Sequence, residues 1–280
     1  MRTLPLPGPG ETPVRVMTIA GSDSGGAAGL QSDLRTFALT GVHGTSAITA
    51  VTVQNSLGVT GFHPIPPDTV SGQIRAVVHD IGVGGVKTGM LANAAIIDAI
   101  ADTAIDVGIG SDIPFLVDPV CASQHGEPLL TPDALDTLLR RLFPLAVIVT
   151  PNLDEVRLIT GIDVTDDDTQ HDAARALHAL GPQWALVKGG HLRSAATSTD
   201  LLYDGTEFHY FEAARIGTRH DHGAGDTLGA AVICALAHGW SVPEAIAFGK
   251  DWVTRSLAAA YPVGAGHGPV NASWRLRPEH

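Results

Sequence analysis

The run Val14-Arg-Val-Met-Thr-Ile-Ala20, the turn Gly21-Ser-Asp-Ser-Gly-Gly-Ala-Ala-Gly29 and the helical pattern over 28–39 set the plan of this chain. A short β-branched, apolar run reads as a strand, a glycine–serine cluster as a turn, and a segment of 3.6-residue periodicity as a helix. The unit then recurs. Strand candidates fall at 43–53, 85–87, 115–120, 146–150 and 185–188, and helical patterns at 68–81, 94–105, 132–143, 154–160 and 169–180. In the first of those helices Val70, Ile74, Val77, Val78 and Ile81 share one face. Residues 201–211 read as a hairpin around Asp204-Gly205, and 224–238 and 243–260 as the closing helices. Alternation of this kind predicts an α/β fold, with a mostly parallel central sheet and helices on both faces.

Size and composition narrow the rest. With 280 residues the chain sits near the upper limit of a single core, so 14–280 is read as one domain. It is 44% hydrophobic and 16% charged, a profile for a buried α/β core joined by tight loops. A net charge of −12 argues against nucleic acid and anionic membrane as partners. The two cysteines, Cys121 and Cys234, do not suggest a disulfide framework, and the cytoplasm is the expected compartment. No stretch approaches the roughly 20 apolar residues of a membrane span. Residues 1–13, with four prolines and two glycines, read as a disordered lead-in.

In a parallel α/β sheet, ligands sit beyond the carboxyl ends of the strands. The unusual polar residues fall there: Gly21-Ser-Asp23, Lys87-Thr-Gly-Met90, Asp118-Pro119, Pro151-Asn152 and Lys188-Gly-Gly-His191. Known nucleotide fingerprints are missing. The first loop lacks G-x-G-x-x-G spacing, and Gly84-Gly-Val-Lys-Thr88 is not a Walker A loop. His220-Asp-His222 resembles a metal-binding fragment but has no partner at a telling spacing.

One stretch carries chemistry. His222-Gly-Ala-Gly-Asp-Thr227 leads into Leu-Gly-Ala-Ala-Val-Ile-Cys-Ala-Leu-Ala, a small flexible turn at the mouth of an apolar helix. Amides at a helix start are unpaired and carry positive partial charge, and glycine lets an anion approach them. Gly223, Ala224, Gly225 and Asp226 are therefore a candidate cradle for a transferred phosphoryl group, with Asp226 as the base for an attacking hydroxyl. The simpler reading makes Asp226 a helix N-cap.

The motif series resembles the hydroxymethylpyrimidine/phosphomethylpyrimidine kinase family of the ribokinase-like superfamily. Residues 18–33 match its entry motif. The series continues through Ala50-Val-Thr-Val-Gln-Asn55, Lys87-Thr-Gly-Met-Leu91, Val117-Asp-Pro-Val120, Thr150-Pro-Asn-Leu-Asp-Glu155, Val187-Lys-Gly-Gly-His191 and Gly266-His-Gly-Pro-Val270. The resemblance implies ATP- and Mg²⁺-dependent phosphorylation of 4-amino-5-hydroxymethyl-2-methylpyrimidine, and then of its monophosphate, in thiamin biosynthesis. It also implies a homodimer. One departure stands out. Many members carry Gly-Thr-Gly-Cys at the anion turn, whereas this chain has Gly223-Ala-Gly-Asp226, the form of ribokinase and, with Thr for Ala, of pyridoxal kinase. A pyridoxine/pyridoxal kinase is therefore the alternative.

The resemblance also distributes roles. Asn152 and Glu155 would hold water on Mg²⁺ at the nucleotide phosphates, although an N-x-x-E helix start also fits a capping box. Lys188 would neutralise phosphate, or form a structural ion pair, and Asp118 would face the same cavity. The amide of Gln54 offers a donor beside an acceptor, which suits an aminopyrimidine edge. Asp33 would contact the substrate or brace the first helix. Gly21 would admit the ring, Met90 and Val120 would wall it, and 264–268 would close over the nucleotide.

Overall fold

A computed structural model describes residues 3–121, 129–189 and 197–277. Strand β1 (Arg15–Ser22) leads to helix α1 (Gly29–Thr40), followed by β2 (His43–Asn55), β3 (Gly58–Pro64), α2 (Pro67–Asp80), β4 (Val86–Thr88) and α3 (Ala94–Val107). Then come β5 (Phe115–Val117), α4 (Pro132–Arg141), β6 (Ile148–Val149), α5 (Leu153–Thr160), α6 (Asp167–His178) and β7 (Trp184–Val187). The hairpin β8 (Thr197–Tyr203) and β9 (Phe208–Ala214) precedes α7 (Ala224–Ala237) and α8 (Val242–Ala258). The nine strands of the described residues form one sheet in the order β3-β2-β1-β4-β5-β6-β7-β8-β9. The six from β2 to β7 run parallel, with Met17 opposite both Thr45 and Val86, and the edges are antiparallel.

The central strands β4, β5 and β6 are buried throughout, as expected for parallel strands covered on both faces. One face packs against α2 to α6 through Val70, Ile74, Ile97, Leu138, Val156 and Leu177. The other packs against α1, α7 and α8 through Phe37, Leu228, Ile233, Ile246 and Trp252. Burying each side chain of this size contributes roughly 2–3 kcal/mol. Helix α7 is buried on every side, which explains why its sequence is apolar all round. Among the described residues, no helix is long and apolar enough to cross a membrane.

Three local differences from the sequence reading have physical causes. Strand β3 was not foreseen: two glycines and a terminal proline interrupt its alternation, and antiparallel pairing with β2 supplies the order. Strand β5 stops at Val117 instead of running to 120, because Asp118 leaves the ladder and Pro119 has no N–H to offer it. The lead-in carries no helix or strand among its described residues, but Leu4 is buried in the core under α1 and α8. Because β1, β2 and β4 to β7 are parallel, their carboxyl ends open on one edge, where α7 also begins. Gly190 and His191 of the β7 motif lie outside the described residues.

Candidate active site

The turn before α7 is built by Gly223, which takes φ +79° as the N-cap of the helix. A Cβ there would lie 2.1 Å from the Ala27 carbonyl oxygen, so only glycine fits. The Ala224 N–H donates to the Asp221 carbonyl at 3.1 Å. This takes the Ala224 amide out of the four-residue cradle read from sequence: the left-handed turn closes the first helical amide on itself. The amides of Gly225 and Asp226 come one turn too early for an intrahelical acceptor.

Asp226 is not the cap. It is the third helical residue, with its side chain 16% exposed. Its Oδ2 accepts from the Gly29 N–H at 3.1 Å, and its Oδ1 lies 3.8 Å from Lys87 Nζ. Lys87 is fully buried and donates to both oxygens of Asp33, at 2.8 and 2.7 Å. Burial alone would depress the ammonium pKa, but the Asp33 and Asp226 carboxylates outweigh it and raise it, so Lys87 stays a cation. Asp33 also accepts from the Thr18 hydroxyl at 2.6 Å and has no exposed surface. These bonds tie Asp33, and α1 with it, to β1 and β4. Lys87 received no role from sequence; the available signal was a lysine inside a strand otherwise read as buried.

On the other side of the turn lies a buried lysine–carboxylate group. A Cβ on Gly225 would stand 3.6 Å from Lys188 Nζ and 3.7 Å from Asp118 Oδ2, so both side chains border the amides. Lys188 Nζ and Asp118 Oδ1 are 3.5 Å apart. Lys188 follows β7 and bridges by backbone to Asn152, the N-cap of α5. The capping box is present: Asn152 Oδ1 accepts from the Glu155 N–H at 2.9 Å, and Glu155 Oε2 from the Asn152 N–H at 2.8 Å. Glu155 Oε1 accepts from the Cys121 N–H at 3.2 Å. Burial pushes the Glu155 carboxyl up to about 7, with Lys188 opposing and Asp118 adding to the rise. For Lys188, burial lowers the pKa, but Asp118 and Glu155 raise it further, so it too stays charged. Two buried carboxylates thus share one lysine, a site short of positive charge.

The acceptor side lies toward β1 and β2. Gln54 Nε2 is 3.1 Å from His222 Nε2, and Gln54 Oε1 accepts from the Thr52 hydroxyl at 3.2 Å. The residue read as a ring contact is therefore tied to the one preceding the anion turn. Asp23 accepts from the amides of Gly25, Ala27 and Ala28 at 2.7–2.9 Å, so the first glycine-rich loop satisfies its own donors and is not a phosphate cradle. The sequence marked Asp23 at a strand end and His222 in a metal-like fragment, but it gave neither residue these partners; that of His222 comes from a segment distant in the chain. Gly21 faces Met90, whose Sδ lies 2.9 Å from where a Cβ would stand. Met90 is buried in the core and Val120 packs against that core at φ +37°. A positive φ is costly for a β-branched residue and clusters at functional sites. The loop 264–268 packs on Ser56 at the β2–β3 turn and on His220, with Gly266 N–H to Ser56 Oγ at 3.2 Å and Gly268 N–H to His220 Nδ1 at 3.0 Å.

A glycine-built helix start, a carboxylate beside it and a lysine–carboxylate group at parallel strand ends are the parts that a small-molecule kinase of ribokinase-like fold needs. Comparison with known proteins makes the class specific. The phosphomethylpyrimidine kinase family model matches residues 23–271, and the chain belongs to that family. It is 62% identical over 275 residues to the hydroxymethylpyrimidine/phosphomethylpyrimidine kinase of Mycobacterium leprae, covering 97% of this chain and 98% of that one. Among solved structures, the ADP complex of Bacillus subtilis pyridoxal kinase aligns with a TM-score of 0.86 at 34% identity, over 95% of this chain and 100% of that one. Phosphomethylpyrimidine kinase from Clostridium difficile aligns with a TM-score of 0.77 at 36% identity, over 87% and 99%.

Proposed function

We propose that this chain transfers the γ-phosphoryl group of ATP to the hydroxymethyl oxygen of 4-amino-5-hydroxymethyl-2-methylpyrimidine, and then a second phosphoryl group to the resulting monophosphate, in thiamin biosynthesis. The observation that carries this reading is the link between ring and phosphate sides: Gln54 is joined to His222, one residue before the turn that bears Asp226. In the first transfer the acceptor oxygen bonds to phosphorus as the bond to ADP breaks. Asp226 takes the hydroxyl proton, and the amides of Gly225 and Asp226 offset the charge on the moving group. Lys188 neutralises phosphate as a point charge. Gln54 reads the ring edge, against Gly21, Met90 and Val120.

Magnesium fits the phosphate side through water. Among the described residues, no group of three or more His, Cys, Asp and Glu side chains could hold a metal ion directly. Mg²⁺ keeps several of its waters and prefers oxygen partners. The oxygens of Asn152, Glu155 and Asp118 are of that type, and the excess negative charge there would be met by a cation. When bound, Mg²⁺ would offset the charge of the nucleotide phosphates.

The test is activity on two rings. Purified protein with ATP and Mg²⁺ is expected to convert the pyrimidine alcohol to mono- and then diphosphate, with a higher kcat/KM than for pyridoxal. No pyrimidine product would defeat the reading, and the reverse preference would favour the pyridoxal alternative. Gln54→Ala removes one donor–acceptor pair from the ring. It is expected to raise KM for the pyrimidine roughly tenfold, about 1.4 kcal/mol, with KM for ATP unchanged. An equal rise for ATP would make Gln54 structural. The family reading carries a homodimer with it, and Val51, Val53 and Phe62 expose an apolar edge on β2–β3 that a second copy would cover. Sedimentation equilibrium reads the assembly directly, and a monomer at all concentrations would remove that part.

A further inference from the structure

Lys87 is an expensive residue for its place. It belongs to a three-residue central strand between Val86 and Thr88, where an apolar side chain of similar volume would pack without a desolvation cost. Its stem runs under α7, with Cε 3.3 Å from where a Cβ on Gly229 would stand. Its ammonium ends in the gap between β4 and the start of that helix. A Cβ on Gly89 would lie 3.9 Å from Lys87 Nζ and 3.8 Å from Asp226 Oδ1. An ammonium has three N–H donors. Two donate to Asp33, and the nearest remaining carboxylate is Asp226, at 3.8 Å.

We infer that the buried Asp33–Lys87 pair is a positioning device for the base: Asp33 fixes the Lys87 ammonium, and Lys87 holds the Asp226 carboxylate in place. The inference rests on reading Asp226 as the base. Five groups surround that carboxylate. Lys87 reaches it from β4, and α1 supplies the Gly29 N–H and, behind Lys87, Asp33. Asp118 after β5 and Lys188 after β7 lie across Gly225. Of the two lysines, Lys87 is the one that Asp33 fixes in place.

Asp33→Asn combined with Lys87→Met replaces the pair by neutral groups of similar size and removes the attraction on Asp226. Lys87→Met alone would strand a buried Asp33 and threaten folding, which is why the double variant is used. The experiment measures kcat and KM for the first transfer in this variant, with and without Asp226→Asn. The double variant is expected to lower kcat at least about tenfold with KM for ATP and the alcohol nearly unchanged, and to cause no further loss once Asp226 is Asn. A merely structural pair would lower stability with kcat unmoved, or lower kcat equally in both backgrounds; either result would overturn the inference. If the double variant does not fold, Asp33→Asn is read in the same cycle. If wild-type protein phosphorylates no alcohol, the base reading fails, while crystal structures of the wild type and the double variant still report whether Asp226 moves when the pair is removed.

Discussion

Asp226→Asn is expected to lower kcat for the first phosphoryl transfer by about 10²–10⁴, with KM for both substrates nearly unchanged. Asn matches Asp in size, and its side-chain oxygen can still accept from the Gly29 N–H, so the start of α7 keeps its geometry. What is lost is the proton acceptor and the charge opposite Lys87. The two transfers should respond differently. The second acceptor is a phosphate oxygen that carries no proton at neutral pH, so Asp226 has nothing to accept. Removing its charge also eases the approach of an anion. With the monophosphate as substrate, the same variant is therefore expected to lose far less activity, and the ratio of the two rates should change by at least about tenfold. Product separation by ion exchange reads both rates from one reaction. Equal loss in both transfers would show that Asp226 acts through structure or charge and not as a base.

Gly223→Ala should come close in effect. The backbone at 223 holds φ +79°, where any other residue pays roughly 1–2 kcal/mol. The added Cβ would meet the Ala27 carbonyl oxygen at 2.1 Å, a backbone atom that no side-chain rotation can clear. Ala27 cannot yield easily, since Asp23 ties the amides of Gly25, Ala27 and Ala28 together. The turn must move instead, and the amides of Gly225 and Asp226 move with it. Misplacing one preorganised donor costs about 10²–10³ in rate. We expect kcat to fall by about 10², with a thermal midpoint several degrees lower. Gly72→Ala serves as the control. That glycine lies within α2 with nothing within 4 Å of a new Cβ, and alanine there should stabilise by up to about 1 kcal/mol with full activity. Normal kcat in Gly223→Ala would show that the turn does not bear on the reaction.

The parts of this molecule that follow from local physics were readable from its residues. Alternating periodicity produced the parallel sheet and its two helical layers, and the polar residues ending those runs marked one edge of it. The N-x-x-E start of α5 forms the capping box that its spacing allows. The remainder depended on contacts between distant segments. Strand β3 is ordered by pairing with β2, and its own sequence, broken by Gly58, Gly61 and Pro64, says little. Asp33 and Lys87 are 54 positions apart, and nothing local distinguishes a fully buried pair from two surface charges. The 168 positions between Gln54 and His222 likewise hid the contact that ties the end of β2 to the turn before α7. Even the anion turn was only partly legible: its glycines announced flexibility, but which amide the turn itself consumes depended on the left-handed geometry at Gly223.

The central claim is that the γ-phosphoryl group passes over the amides of Gly225 and Asp226 while the Asp226 carboxylate receives the acceptor's proton. A crystal structure of the full chain with a non-hydrolysable ATP analogue, Mg²⁺ and the pyrimidine alcohol tests it most directly. The account predicts the terminal phosphate against those two amides and the alcohol oxygen within about 2.6–3.2 Å of an Asp226 oxygen. A terminal phosphate bound away from that turn, or an alcohol out of reach of Asp226, would contradict it.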